Sequence, residues 1–303
     1  MNIELETQQQ ELAAAIRGQV RRLPVHSSGW EVLNNLGFID LLTDEAAVGF
    51  GQIEWCLLFE ELGAGVRDTT TTERVRTFID VYCSPNGKAD KSARRALRDW
   101  AEASPAEPLL ACRSADLSAD GGAVWSTQHS VVASVAALPS VALDANQDQR
   151  VTDRELLVRA AYAIGIARRS LEIGHQRAVE REVGGRRLLE QQSTAHRLAR
   201  GAVTTAAARL EVWEAAWWED TRGPAGYRTS SAAAAAVSAA VACTHESVQI
   251  FGAAGTSDGE VVRLYRAAYD VTERCGPPSL LWHAAASRQR PVNESGADTC
   301  WAS

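Results

Sequence analysis

The 303-residue chain is 46% hydrophobic, enough to bury the core of one large domain or two ordinary ones. Its formal net charge of −7 argues against nucleic acid as the main partner, because phosphate binding needs a basic field. No run of about 18 apolar residues is present, which excludes a membrane-spanning helix.

The start, "MNIELETQQQELAAAIRGQV", is polar and acidic, without the basic opening and apolar run of a signal peptide. Helices are predicted over 1–23 and 28–66, with short breaks. Trp30, Leu33, Leu36 and Ile39 recur at helical spacing, and Ser27 or Ser28 is a candidate N-cap. Ile53, Leu57 and Leu58 repeat the pattern in "GQIEWCLLFEELGAG", which Gly63 and Gly65 are read as ending. Residues 67–105 are mixed, with a loop at "SPNGKADKS" and a helix at "ARRALRDWAEA". From Pro105 the chain turns to short apolar runs broken by Asp-Gly-Gly and Pro, the chemistry of strands and turns. That stretch is too short for a self-sufficient barrel.

From Val151 the pattern is strongly helical. Thr152 with Glu155 three residues on reads as a capping box, and positions 157, 158, 161, 164, 167 and 171 form one apolar face. A second helix is expected after the Gly184-Gly185 break, and an alanine-rich third after the loop "GPAGY". Two short helices are expected near 258–271 and 278–290. The reading is mainly α: a helical N-terminal domain (1–105), a reduced β segment (106–150), a C-terminal four-helix-type bundle (151–290) and a tail (291–303). The six cysteines include no CxxC pair, so we read them as reduced thiols of a cytoplasmic protein, with no metal site.

Three features stand out as chemistry. "QIFGAAG" carries Gln249, whose amide both donates and accepts, with Gly252 and Gly255 permitting a sharp turn and a close approach. "EREVGGRR" puts Arg181 at a helix end, where a guanidinium clamps a pyrophosphate or simply complements the helix dipole. "RLYR" is a basic patch on a short helix, read as a solvated or salt-bridged face.

In order, "AAYAIGIARRSLEIGHQRAVEREVGGRRLLEQQ" and "ESVQIFGAAGTSDGEVVRLYRAAYDVT" resemble the C-terminal domain of the acyl-CoA dehydrogenase family. "LGFIDLLTDEAAVGFGQIEWCLLFEELGAG" is similar to that family's N-terminal helical domain. The resemblance implies FAD as cofactor and an acyl-CoA as substrate. A carboxylate removes the α proton while the β hydride passes to the flavin. It implies that Arg181, Gln192, Gln249, Gly252 and Gly255 contact a neighbouring subunit's FAD, and hence an oligomer.

The departures are informative. Where the family has "YEGTS" the chain reads "RCGPPS", so the glutamate most members use as base is absent. Some members carry the base on the first long C-terminal helix, and "ELLVRAAYAIG" places Glu155 there, ten residues before Gly165, as the candidate base. The position usually held by arginine next to it is Leu156, and no "TEPxxGSD"-like flavin loop is found. The second glycine of the turn is Ala253 and the aspartate of "RLYRDA" is Ala267. The resemblance therefore implies a short subunit of a heteromeric, α2β2 acyl-CoA dehydrogenase. It would share FAD with a full-length partner, as in actinobacterial steroid side-chain catabolism. A non-catalytic scaffold or regulatory protein, and a small homomeric flavoprotein, are the alternatives.

Overall fold

Alanine sets the architecture. In the computed structural model the helix Tyr227–Phe251 buries Ala232, Ala233, Ala234, Ala236, Ala239 and Ala240, and with so little side chain it lets four other helices approach closely. The structure describes residues 6–24, 27, 29–37, 51–67, 69 and 145–289, with no side chains for 145–151. Its helices are α1 (Thr7–Arg22), α2 (Gly29–Asn35), α3 (Gln52–Ala64), α4 (Ala145–Glu180), α5 (Gln192–Thr221), α6 (Tyr227–Phe251), α7 (Gly259–Cys275) and α8 (Pro278–Arg288). The fold is mainly α, as expected. Helices α4, α5, α7 and α8 surround α6, and α3 lies against α1, α4 and α5. The helix expected at 93–103, the β stretch 106–144, Ser28, Ile39 and the tail lie outside the described residues.

The apolar faces fall where periodicity put them. Trp30 and Leu33 are buried, as are Leu157, Val158, Ala161, Ile164 and Ala167. Two local expectations are corrected. Helix α4 begins at Ala145, so Ala145–Arg150 continue the helix rather than the β segment, and Thr152 is not its cap. The Thr-x-x-Glu signal there is incidental, because the chain before it is already helical. Gly63 does not end α3 but lies within it, and only Gly65 caps it. Both Gly63 and Gly165 mark the crossing of α3 and α4. A Cβ at Gly165 would overlap the Glu60 carbonyl, and one at Gly63 the Tyr162 carbonyl.

Helix α3 is buried from Trp55 through Gly63, including two adjacent glutamates. Glu61 pairs with Arg17 of α1 at 2.7 Å and Arg168 of α4 at 2.8 Å, and Glu60 with Arg209 of α5 at 2.8 Å. Four helices are thus tied at one charged node. The N-terminus of α3 is fastened by Asp220 of α5, whose carboxylate accepts from the N–H groups of Gln52 (2.8 Å) and Ile53 (3.2 Å). No described helix is long and apolar enough to cross a membrane.

Candidate functional site

The C-terminus of α4, the N-terminus of α5 and the C-terminus of α6 meet over a small apolar cluster of Ala178, Leu198 and Ile250. Gly184 and Gly185, both with positive φ, turn a two-residue hairpin loop between Glu182–Val183 and Arg186–Arg187. This hairpin, absent from the sequence reading, reverses the chain between α4 and α5. The Leu188 N–H then donates to the Arg181 carbonyl at 2.7 Å, closing it.

Arg181 is thereby held at the end of α6. Its Nη1 donates to the carbonyls of Ile250 and Phe251, each at 3.1 Å, groups the helix itself leaves unpaired. Among the described residues nothing bonds to the Nε–Nη2 edge, which keeps a donor fork. Gly252, at φ 65°, turns the chain directly beneath this guanidinium; a Cβ there would lie 3.2 Å from Nη1. Gly255 is buried, and a Cβ on it would come within 2.9 Å of the Val248 carbonyl. The turn therefore folds tightly on the last turn of α6. Asp258 then starts α7 by accepting from the Glu260 and Val261 N–H groups at 2.9 and 3.0 Å.

Beside this turn lies a groove of about 460 Å³, lined by His245, Val248, Gln249, Gly255, Thr256, Val262, Tyr265 and Arg266. Arg181 and Gly252 touch, and Gln249 and Gly255 share the groove, so the structure brings four of the expected cofactor contacts to one end of α6. Gln192, the first residue of α5, is exposed and does not line it. Sequence reasoning missed the aromatic wall: His245 stacks on Tyr265 (5.4 Å between centroids, 15°) and its Nε2 lies 2.8 Å from the Tyr269 hydroxyl. The four-residue spacing of Tyr265 and Tyr269, and of His245 and Gln249, was the available signal.

Glu155 is elsewhere. It is buried in α4, with Arg159 at 3.6 Å one turn on. It precedes Arg181 by 26 residues of one helix, about 39 Å at 1.5 Å per residue, so the two cannot meet on one small group. Among the described residues no cluster of His, Cys, Asp and Glu is placed to hold a metal ion.

Comparison with known proteins agrees with this layout. Residues 147–272 match the family model for the acyl-CoA dehydrogenase C-terminal domain. Over 110 residues the chain is 34% identical to the mitochondrial short-chain specific acyl-CoA dehydrogenase of Rattus norvegicus, a match covering 36% of this chain and 27% of that protein. It superposes on the ChsE4-ChsE5 complex of Mycobacterium tuberculosis with a TM-score of 0.72, at 18% identity, over 96% of this chain and 100% of that one. Glutaryl-coenzyme A dehydrogenase gives 0.72 at 19% identity, over 94% and 96%. These last two likenesses are of fold.

Proposed function

We propose that this chain, whose residues 147–272 match the family model for the acyl-CoA dehydrogenase C-terminal domain, is a subunit of a heteromeric acyl-CoA dehydrogenase. It would lend half of an FAD site to a full-length partner that desaturates an acyl-CoA. The observation that carries this reading is the convergence of Arg181, Gly252, Gln249 and Gly255 at the end of α6. The residues present fit such a group. A free guanidinium fork takes a pyrophosphate, and two glycines leave the backbone open to close approach. Arg181 would hold the phosphates, with Gln249 and the Gly252 backbone beside the adenosine end. FAD bound there would supply the acceptor for the substrate's hydride. The ChsE4-ChsE5 assembly is a complex, and this chain's fold is similar to one solved chain of it over 96% of this chain's length.

Co-expression with a full-length acyl-CoA dehydrogenase-like subunit tests the proposal. A yellow complex holding less than one FAD per chain is expected, and a colourless one rejects it. In that complex Arg181→Ala should lower FAD affinity tenfold or more, the loss of a charge-assisted pair worth about 1.5–3 kcal/mol. Arg181→Lys, which keeps the charge but not the fork, should fall between. Full flavin occupancy in both variants would remove Arg181 from the site. It would favour the scaffold reading, in which this arginine serves only the Ile250 and Phe251 carbonyls.

Glu155 is paired with Arg159 and stands far along α4 from the half-site, so we place the main base in the partner. Glu155→Gln should leave turnover of the complex within about threefold. A fall in the range of about 10²–10⁴, that expected for loss of a general base, would assign the base to Glu155 instead.

A further inference from the structure

The groove of about 460 Å³ at the end of α6 has an aromatic wall as well as a glycine turn. His245 of α6 and Tyr265 of α7 line it, stacked on each other with centroids 5.4 Å apart and planes 15° from parallel. Tyr269, one turn beyond Tyr265, stands outside the groove and backs both rings. Its centroid is 4.9 Å from that of Tyr265 and 6.1 Å from that of His245. Its hydroxyl lies 2.8 Å from His245 Nε2 and 3.4 Å from the Tyr265 hydroxyl.

The wall is held rather than loose. Exposed rings ordinarily change rotamer, and ordering them on a ligand costs entropy. His245 is exposed and Tyr265 half-buried, yet the stack and the Tyr269 hydroxyl fix both before anything binds. Val248 and Val262 add apolar surface to the same groove. Gln249, one helical turn after His245, brings an exposed amide to the same face of α6. Fixed rings, apolar lining and an amide together suit a flat heteroaromatic base, which stacks through its π-face and hydrogen-bonds along its edge. Among the bases a glutamine amide matches adenine, donating to N7 and accepting from the N6 amino group, where guanine presents two acceptors.

We infer that this groove seats an adenine ring, that of the flavin cofactor, stacked against the His245–Tyr265 wall with Gln249 at its edge. The assignment rests on the half-site reading above and adds to it the residues that choose the base. Gln249 stands about one helical turn before Gly252, which lies beneath Arg181, so base and phosphates would occupy neighbouring ground at the end of α6. The volume is that of a small-ligand site.

Calorimetric titration of the co-expressed complex, stripped of flavin, with ADP, GDP and inorganic pyrophosphate tests it. ADP should bind at least tenfold tighter than GDP, the discrimination a bidentate amide gives. Tyr265→Leu and the exposed change His245→Ala should each weaken ADP about tenfold, as when a base loses its stacking partner, and leave pyrophosphate unchanged. Tyr265→Phe, which keeps the ring, should stay close to wild type. Unchanged ADP affinity in both Tyr265→Leu and His245→Ala overturns the proposal, as does GDP binding as tightly as ADP. An equal loss of ADP and pyrophosphate also overturns it, since that would mean only that the turn has loosened. If Arg181→Ala lowers pyrophosphate and FAD affinity while those two variants leave ADP alone, the half-site stands and the adenine seat falls. If the complex takes no FAD but the two variants still cost ADP and not pyrophosphate, the flavin reading falls and the seat belongs to another adenine nucleotide.

Discussion

Gly165→Ala is expected to destabilise the protein by about 3 kcal/mol, lowering its melting temperature by roughly 6–12 °C in a thermal scan followed by circular dichroism. In an open helix the same change helps, since alanine is better than glycine by about 1 kcal/mol. Here the added methyl has nowhere to go. It would meet the Glu60 carbonyl and approach the Ala64 nitrogen to 2.7 Å, both backbone atoms of α3 that no rotamer can move aside. The two helices would have to separate, opening the buried contact between α3 and α4. Gly63→Ala meets the Tyr162 carbonyl at the same crossing, so the double variant should lose less than the sum of the single changes. Gly18→Ala is the control: nothing lies within 4 Å of its would-be Cβ in α1, and it should be neutral or stabilising. Gly165→Ala melting with the wild type would mean that α3 and α4 do not cross at this distance.

Glu61→Gln should cost about 3–5 kcal/mol, the usual penalty for breaking one side of a buried ion pair. Glu61 is 3% exposed and lies between Arg17 and Arg168; amide substitution leaves Arg168, itself largely buried, with Glu60 at 3.4 Å and the half-exposed Glu172 at 3.7 Å in place of its closest acid. The pH dependence separates this charge effect from packing. Despite its burial, the two arginines hold the Glu61 pKa below the ordinary glutamate value. Its contribution is therefore fully present above the unfolded-state pKa and is lost as pH falls through the lower folded value. Glu60, whose pKa is raised chiefly by burial, behaves oppositely: the cost of its buried charge is relieved as pH falls. The stability gap between wild type and Glu61→Gln, measured by denaturant unfolding, should be widest near neutrality and close in acid. A gap independent of pH would show that side-chain shape, not charge, is what the node needs.

Much of the fold was legible because a helix writes its own faces into its sequence. The buried positions of α4 followed from a 3.6-residue period, and the tight packing around α6 from its alanines. The start of α4 was misplaced because Thr152 and Glu155 form a sound local capping signal, and nothing local shows that the preceding turns are already helical. Of the site, the glycine turn and Arg181 could be named from their motifs, but not the carbonyls that Arg181 grips 69 and 70 residues later. The basic face of α7 was visible in "RLYR" and read as solvated or salt-bridged, and Arg263 and Arg266 are indeed exposed; that they lie beside Arg67 and Tyr162 depends on contacts with α4 and the exit of α3.

The sequence by itself determined which segments are helical, which faces are apolar, where glycine permits a turn, and the motifs shared with one family. These are properties of short stretches, governed by spacing and backbone freedom. Only the tertiary structure decided that Glu60 and Glu61, ordinary surface charges by type, sit at the centre of a four-helix node. It alone showed that Gly63 and Gly165 are needed for contact rather than for capping. Such roles rest on pairings between residues far apart in the chain, as across the 149 residues between Arg209 and Glu60. Burial turns those pairings from negligible surface contacts into strong ones.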